Sequence, residues 1–290
     1  MNQRVKYNSE SLSNYIRYKS LQMTHKARSS HIGSILSCAD IIAVLYSEIL
    51  NIGNSDKSLT RDRFIMSKGH AGAGLYACLA RLDLIPEVQL ESHYQDGSRL
   101  SGHVSHKLLP HIEMSIGSLG HGLPLSCGIA LALKLKGISS KVFCLMSDGE
   151  LDEGSNWESM LFASHHNLSN IKVIIDRNKL QSIKSTEQTL SLEPLIDKFK
   201  SFNWEVSNIN GHSHELLKRD LTYKSNKPHI IIANTIKGKG VSFMENSVLW
   251  KSFQVSYAQR LFLLQASFSL SSLGCHNPTS SIFLLDNDAG

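Results

Sequence analysis

Three consecutive stretches limit what this chain can fold into. They are the apolar run "KVFCLM" (141–146), the amphipathic run "SNWESMLFASHH" (155–166) and a second apolar run "IKVIID" (171–176). A continuous apolar run of strand length belongs to a strand buried on both faces, and a helix between two such runs makes a parallel βαβ unit with a right-handed crossover. "RFIMSKGHAGAGLYACLARLDL" (63–84) reads as a short strand, a Gly-rich turn and a helix. "FNWEVSNI" (202–209) and "PHIIIANTI" (228–236) add two strands around a helical stretch beginning near His212. The predicted class is α/β, an open and mostly parallel sheet with helices on both faces.

The first half is less regular. Residues 10–28 carry a helical period. "SCADIIAVLYSEIL" (37–50) is expected to start a helix near residue 38, with Ser37 and Asp40 in the spacing of a capping box; Ser155 and Glu158 repeat that spacing at the later helix. Residues 91–122 are rich in Gly, His and Ser without periodicity, and so long a loop is read as a wall of a functional site.

Composition narrows the partners. Thirty Lys+Arg against 25 Asp+Glu give a net charge of +5, but the basic residues are scattered, which argues against nucleic-acid or membrane binding. No stretch is read as approaching the roughly 18 apolar residues of a membrane span, and the N-terminus lacks a signal-peptide core, so a cytoplasmic location is expected. Cys38, Cys78, Cys127, Cys144 and Cys275 are odd in number, widely spaced and set among apolar neighbours, as reduced core residues are.

The chemistry concentrates in "SDGELDEGSNWE" (147–158), with five acidic side chains at the end of a predicted strand. Ligands of an open parallel sheet sit beyond the carboxyl ends of its strands. Asp148 stands at one such end and Asn178 at the next, so a single crossover brings them together. A carboxylate, an amide oxygen and a main-chain carbonyl are hard donors suited to Mg²⁺ or Ca²⁺, and Mg²⁺ shares its sphere readily with phosphate. Gly149 permits close backbone approach, and the following helix start offers N–H groups to an anion. The competing reading is that these acids only favour a helix N-terminus, at about 0.3–1 kcal/mol each.

Asp148-Gly149 followed by Asn178 resembles the thiamine-diphosphate motif. Four further stretches resemble the N-terminal third of transketolase: "HIGSILSCADIIAVLY", "RDRFIMSKGHAGAGLYACLA", "GSLGHGLPLSCGIALALKLKG" and "IIANTIKGKGVSFMEN". The resemblance runs in order over roughly residues 10–250 and implies a thiamine-diphosphate-binding fold for residues 1–250. It implies metal ligation (Mg²⁺, with Ca²⁺ or Mn²⁺ as alternatives) by Asp148, Asn178 and the carbonyl of Leu180, and a diphosphate contact at Gly149. Gly117 and Leu119 match the loop that meets the aminopyrimidine through backbone groups. His31, His70 and His103 match histidines lining the cofactor and substrate cleft, where imidazoles relay protons. Glu153 matches an acid at the subunit interface, near the glutamate that activates the cofactor, and is expected among the cofactor-binding residues. His121 stands where the family commonly has Gln, and Ser147 where the motif usually has Gly. "KGKG" (237–240) reads either as a polar turn or as a phosphate contact.

Full-length transketolases carry two further domains, including the one that supplies the activating glutamate. This chain resembles the separate N-terminal subunit of split transketolases. The resemblance therefore implies a C-terminal partner subunit, an α₂β₂ assembly, sugar or sugar-phosphate substrates, transfer of a two-carbon ketol unit, and no activity alone. Alternatives are another thiamine-dependent synthase or 2-oxo acid dehydrogenase subunit, and a degenerate binding-only subunit. The resemblance stops at Trp250. Lys251 takes the place of a family histidine, and residues 251–290 hold four charged side chains, which reads as an end replaced by a frame change or recombination, or as a divergent native tail.

Overall fold

The computed structural model describes residues 7–53 and 58–248; the divergent segment 251–290, with Lys251 and Cys275, lies outside the described residues. The elements are α1 (Ser9–Lys26), α2 (Ile32–Val44), β1 (Arg63–Met66), α3 (Gly72–Arg81), α4 (Gly122–Leu135), β2 (Val142–Ser147), α5 (Gly154–His165) and β3 (Ile171–Arg177). Then follow α6 (Thr186–Thr189), α7 (Leu195–Ser201), β4 (Glu205–Asn210), α8 (His214–Thr222) and β5 (His229–Asn234).

The strands form one five-stranded sheet in the order β1-β2-β3-β5-β4, with every pair parallel. Every residue of β2 and β3 is buried, as continuous apolar strands between helical layers must be. Helices cover both faces in two groups: α4 lies against β1–β3 and packs on α5, whereas α1, α2 and α3 pack on one another and α2 meets α8. Period-two geometry sends Lys172 and Asp176 of β3 to the same face, where Lys172 reaches Asp220 of α8 and Asp176 reaches Ser37 of α2.

The register aligns the carboxyl ends. Ser147 pairs with Asp176, Arg177 with Asn234, and Asn234 with Asn210. Asp148 and Asn178 therefore leave adjacent strands at one edge.

Three local expectations are corrected. The second helix begins at Ile32, not near residue 38, and Ser37 and Asp40 lie inside it. Ser37 donates to Asp176 and Asp40 is held by Arg17, so the capping-box spacing reflects two long-range polar contacts. At α5 the N-cap is Glu153 without a side-chain cap bond, and Ser155 donates instead to the Gly120 carbonyl at 2.6 Å. Finally, Ile32–Ile49, which joins α2 to a π-helical turn, is long and apolar enough to cross a membrane, with a mean hydropathy of 1.6. It is the central helix, with 83% of that window buried inside the protein; a helix packed on all sides has the same composition as a membrane span.

Candidate active site

The loops at the carboxyl edge of the sheet converge on Asp148. Its carboxylate is buried; one oxygen accepts from the Gly149 N–H at 2.8 Å, the other from the Lys179 N–H at 2.6 Å and the Arg177 guanidinium at 3.3 Å. Burial and the neighbouring Asp176 push its pKa up to about 6, although these three donors oppose the rise. Asn178, also buried, accepts the Leu180 N–H at 3.1 Å, and Lys179 turns the chain through a left-handed conformation with φ 65°. The Leu180 carbonyl accepts from the Lys237 ammonium at 3.0 Å, and the Gln181 carbonyl accepts from the same group at 2.9 Å.

These residues fit a hard divalent cation. All three donors are oxygens, the ammonium shows that the Leu180 carbonyl favours positive charge, and the buried carboxylate is charged at a cost that a cation would offset. Gly149 packs against Gln181, whose Cγ would stand 2.9 Å from a Cβ added there.

The three predicted histidines come together. The ring of His31 lies 5.1 Å from that of His70 and 6.0 Å from that of His103. His31 occupies the N-cap of α2 with φ 74°, a left-handed conformation in which histidine is enriched and which turns its ring toward the other two. Burial, with the charge of Lys68 next, pushes the His70 pKa well down, so its imidazole is neutral at pH 7. His70 follows Gly69, where a Cβ would lie 2.1 Å from the Ile116 carbonyl oxygen. Only glycine allows that backbone contact, which sets His70 beside the loop carrying Gly117 and Leu119. Gly117 is exposed, and the Leu119 carbonyl bonds to the ring of the N-cap residue His121 at 3.0 Å.

The acid cluster divides by role. Glu150 is fully buried and accepts from Ser67, from the Gly120 N–H at 3.0 Å and from the Ser147 N–H at 3.3 Å, tying two strand ends to the loop before α4. Asp152 accepts from Gln181 at 2.7 Å. Glu153 is exposed and stands against Gly120, where an added Cβ would lie 2.6 Å from that of Glu153.

Sequence reasoning missed the layer beneath. Asp176 is fully buried and accepts from Lys68, Ser37 (2.6 Å), Thr235 and, at 3.4 Å, the amide of Asn178. Burial alone would raise its pKa, but the Lys68 charge and these bonds hold it below the usual carboxylate value. The "SKGHA" stretch was the available signal, because a lysine so close to a buried strand needs a buried partner.

The carboxyl edge of the sheet thus carries a set of hard oxygen donors, and three imidazoles cluster in the loops after α1, β1 and α3. Residues 8–249 match the family described as transketolase, thiamine diphosphate binding domain. The chain is 39% identical over 238 residues to one subunit of the apulose-4-phosphate transketolase of Phocaeicola vulgatus, covering 81% of this chain and 84% of that one. It is 35% identical over 239 residues to one subunit of the 6-deoxy-6-sulfo-D-fructose transketolase of a Clostridium species, covering 81% and 87%. The transketolase structure from Campylobacter jejuni superposes with a TM-score of 0.82 at 31% identity, over 89% of this chain and 42% of that chain. This chain thus spans under half of that transketolase and most of the two separate subunits. It belongs to the transketolase family, as a thiamine-diphosphate-binding domain.

Proposed function

We propose that this chain is the cofactor-holding half of a two-polypeptide, transketolase-like transferase, which moves a two-carbon ketol unit from a ketose phosphate to an aldose. The observation that carries the reading is the convergence of Asp148, Asn178 and the Leu180 carbonyl at one edge, with His31, His70 and His103 clustered at the loops above the sheet. The relatives named as subunits, most of whose length this chain spans, support a separate C-terminal partner. An α₂β₂ assembly in the cytoplasm completes the proposal.

Asp148, Asn178 and the Leu180 carbonyl would hold Mg²⁺, and Gly149 would admit the diphosphate. Thiamine diphosphate, when bound, supplies the carbanion sink for breaking and remaking a carbon–carbon bond beside a carbonyl. The chain's own residues orient and move protons. Neutral His70 accepts a hydrogen bond or a proton from a hydroxyl, and His31 stands between His70 and His103, in ring contact with each, to pass charge on. Gly117 and Leu119 offer main-chain groups to the cofactor's second ring, and exposed Glu153 is available to the partner.

Titrating the full chain with thiamine diphosphate and Mg²⁺, and doing the same with Asp148→Asn, tests the first part. Wild type should bind and the variant should bind about a hundredfold more weakly or worse, since even partners in a metal's outer shell are worth about 10–100-fold. Equal affinity of the two would sink the assignment. Adding the partner and following glycolaldehyde transfer from a ketose phosphate tests the second: binding without transfer by the reconstituted pair would leave a binding-only chain.

A further inference from the structure

Behind the ligand loop lies a polar cluster that the proposed chemistry does not use. Asp40, inside the buried helix α2, accepts from Arg17 at both oxygens, at 3.0 and 2.5 Å. It also meets Nδ1 of His212 at 2.6 Å and Nε2 of His214 at 3.1 Å. The other nitrogen of His212, Nε2, lies 2.9 Å from the Ile236 N–H. A backbone N–H can only donate, so Nε2 accepts, and the ring's proton resides on Nδ1, facing Asp40. Asp40 thereby selects the tautomer that can receive Ile236.

Ile236 opens the turn that touches both walls of the site. Its neighbour Lys237 donates to the carbonyls of Leu180 and Gln181, and Gly238 donates to the Gly33 carbonyl at 3.0 Å, at the start of the helix capped by His31. Gly238 has φ 82°, and a Cβ there would meet the Met244 carbonyl oxygen at 2.4 Å, so this turn is built for glycine. Among the described residues, His212 makes the only side-chain bond to the Ile236 N–H.

We propose that His212 is a positioning residue: by accepting the Ile236 N–H while Asp40 holds its ring, it sets the 236–238 turn so that the Leu180 carbonyl and the His31 helix start stand in register. The inference rests on the proposed metal–diphosphate reading for its functional consequence, but the positioning itself is readable without any ligand.

Two variants separate the ring's two bonds. His212→Asn keeps a donor near Nδ1 for Asp40 and removes the acceptor; His212→Gln places an amide oxygen near Nε2 and keeps the acceptor. Amide hydrogen exchange at Ile236 and Gly238 in the ligand-free full chain should accelerate about tenfold or more in His212→Asn and stay within about threefold of wild type in His212→Gln, while global unfolding midpoints stay close. Affinity for Mg²⁺ with thiamine diphosphate should fall about tenfold in His212→Asn, equal to about 1.4 kcal/mol, and recover in His212→Gln. Unchanged exchange in His212→Asn overturns the inference whatever the ligand does, and so does faster exchange with undiminished affinity. Failure of wild type to bind overturns the cofactor reading instead, leaving exchange to decide the positioning.

Discussion

Replacing Gly69 with alanine tests how the cleft is assembled. The added Cβ would lie 2.1 Å from the Ile116 carbonyl oxygen and 2.9 Å from its carbon. Both are backbone atoms, so no side-chain rotation relieves the overlap, and the Ile116 segment must retreat by about 1.4 Å to reach ordinary contact distance. That segment is tied to its own loop, since the Ile116 N–H donates to the Val104 carbonyl at 3.2 Å, next to His103. Overpacking costs about 1–3 kcal/mol, and a rigid contact belongs at the upper end, so we expect a loss of about 3 kcal/mol. For a domain of this size the melting midpoint should drop by about 6–12 °C. Thermal and urea unfolding read the loss, and amide exchange over residues 104–117 reads the displaced loop. Gly128→Ala, at an exposed α4 position where a Cβ meets nothing within 4 Å, is the control and should stabilise by about 0.5–1 kcal/mol. If Gly69→Ala unfolds within about 0.5 kcal/mol of wild type with normal exchange at Ile116, the reasoning about the close approach is wrong.

Other consequences follow from the buried charges. Lys68→Met leaves the Asp176 carboxylate buried without its ion partner and should destabilise by about 3–5 kcal/mol, measured by urea unfolding. A loss below about 1 kcal/mol would mean that Ser37 and Thr235 satisfy Asp176 unaided. At the opposite end of the sheet, Lys172 donates to the Asp220 and Tyr223 carbonyls and to Nδ1 of His229, whose Nε2 then donates to Ser207. Burial, then the charge of Lys172, pushes the His229 pKa down to about 4 from an ordinary 6.5. The unfolded chain therefore takes up a proton that the folded one refuses, and stability present above pH 6.5 is lost as pH falls through that window toward 4, by up to about 3 kcal/mol. His229→Gln should flatten the stability–pH slope in this range by about one proton; an unaltered slope would place the titration elsewhere.

The sequence alone determined the kinds of element and their order. Long apolar runs such as "KVFCLM" and "IKVIID" fit only strands buried on both faces, and the amphipathic run between them fits only the crossover, so β2, α5 and β3 appear where the pattern put them. The same periodicity located Asp148 and Asn178 at neighbouring strand ends. What the sequence misdirected were local polar signals. Ser37 and Asp40, like Ser155 and Glu158, have the spacing of a capping box, yet Ser37 serves Asp176, Asp40 serves Arg17 and two histidines, and Ser155 serves Gly120. A hydroxyl or carboxylate is satisfied by any donor or acceptor within about 3 Å, and partners 23 to 174 positions away leave no mark on local spacing. Only the packed structure decided that Glu150 ties loops together while Asp148 is held by Gly149, Arg177 and Lys179, that Lys68 pairs with Asp176, and that His212 faces Ile236. Apolar periodicity is local because it reports a single element's own face; polar pairing is tertiary because burial forces each group to find whichever partner the fold brings near.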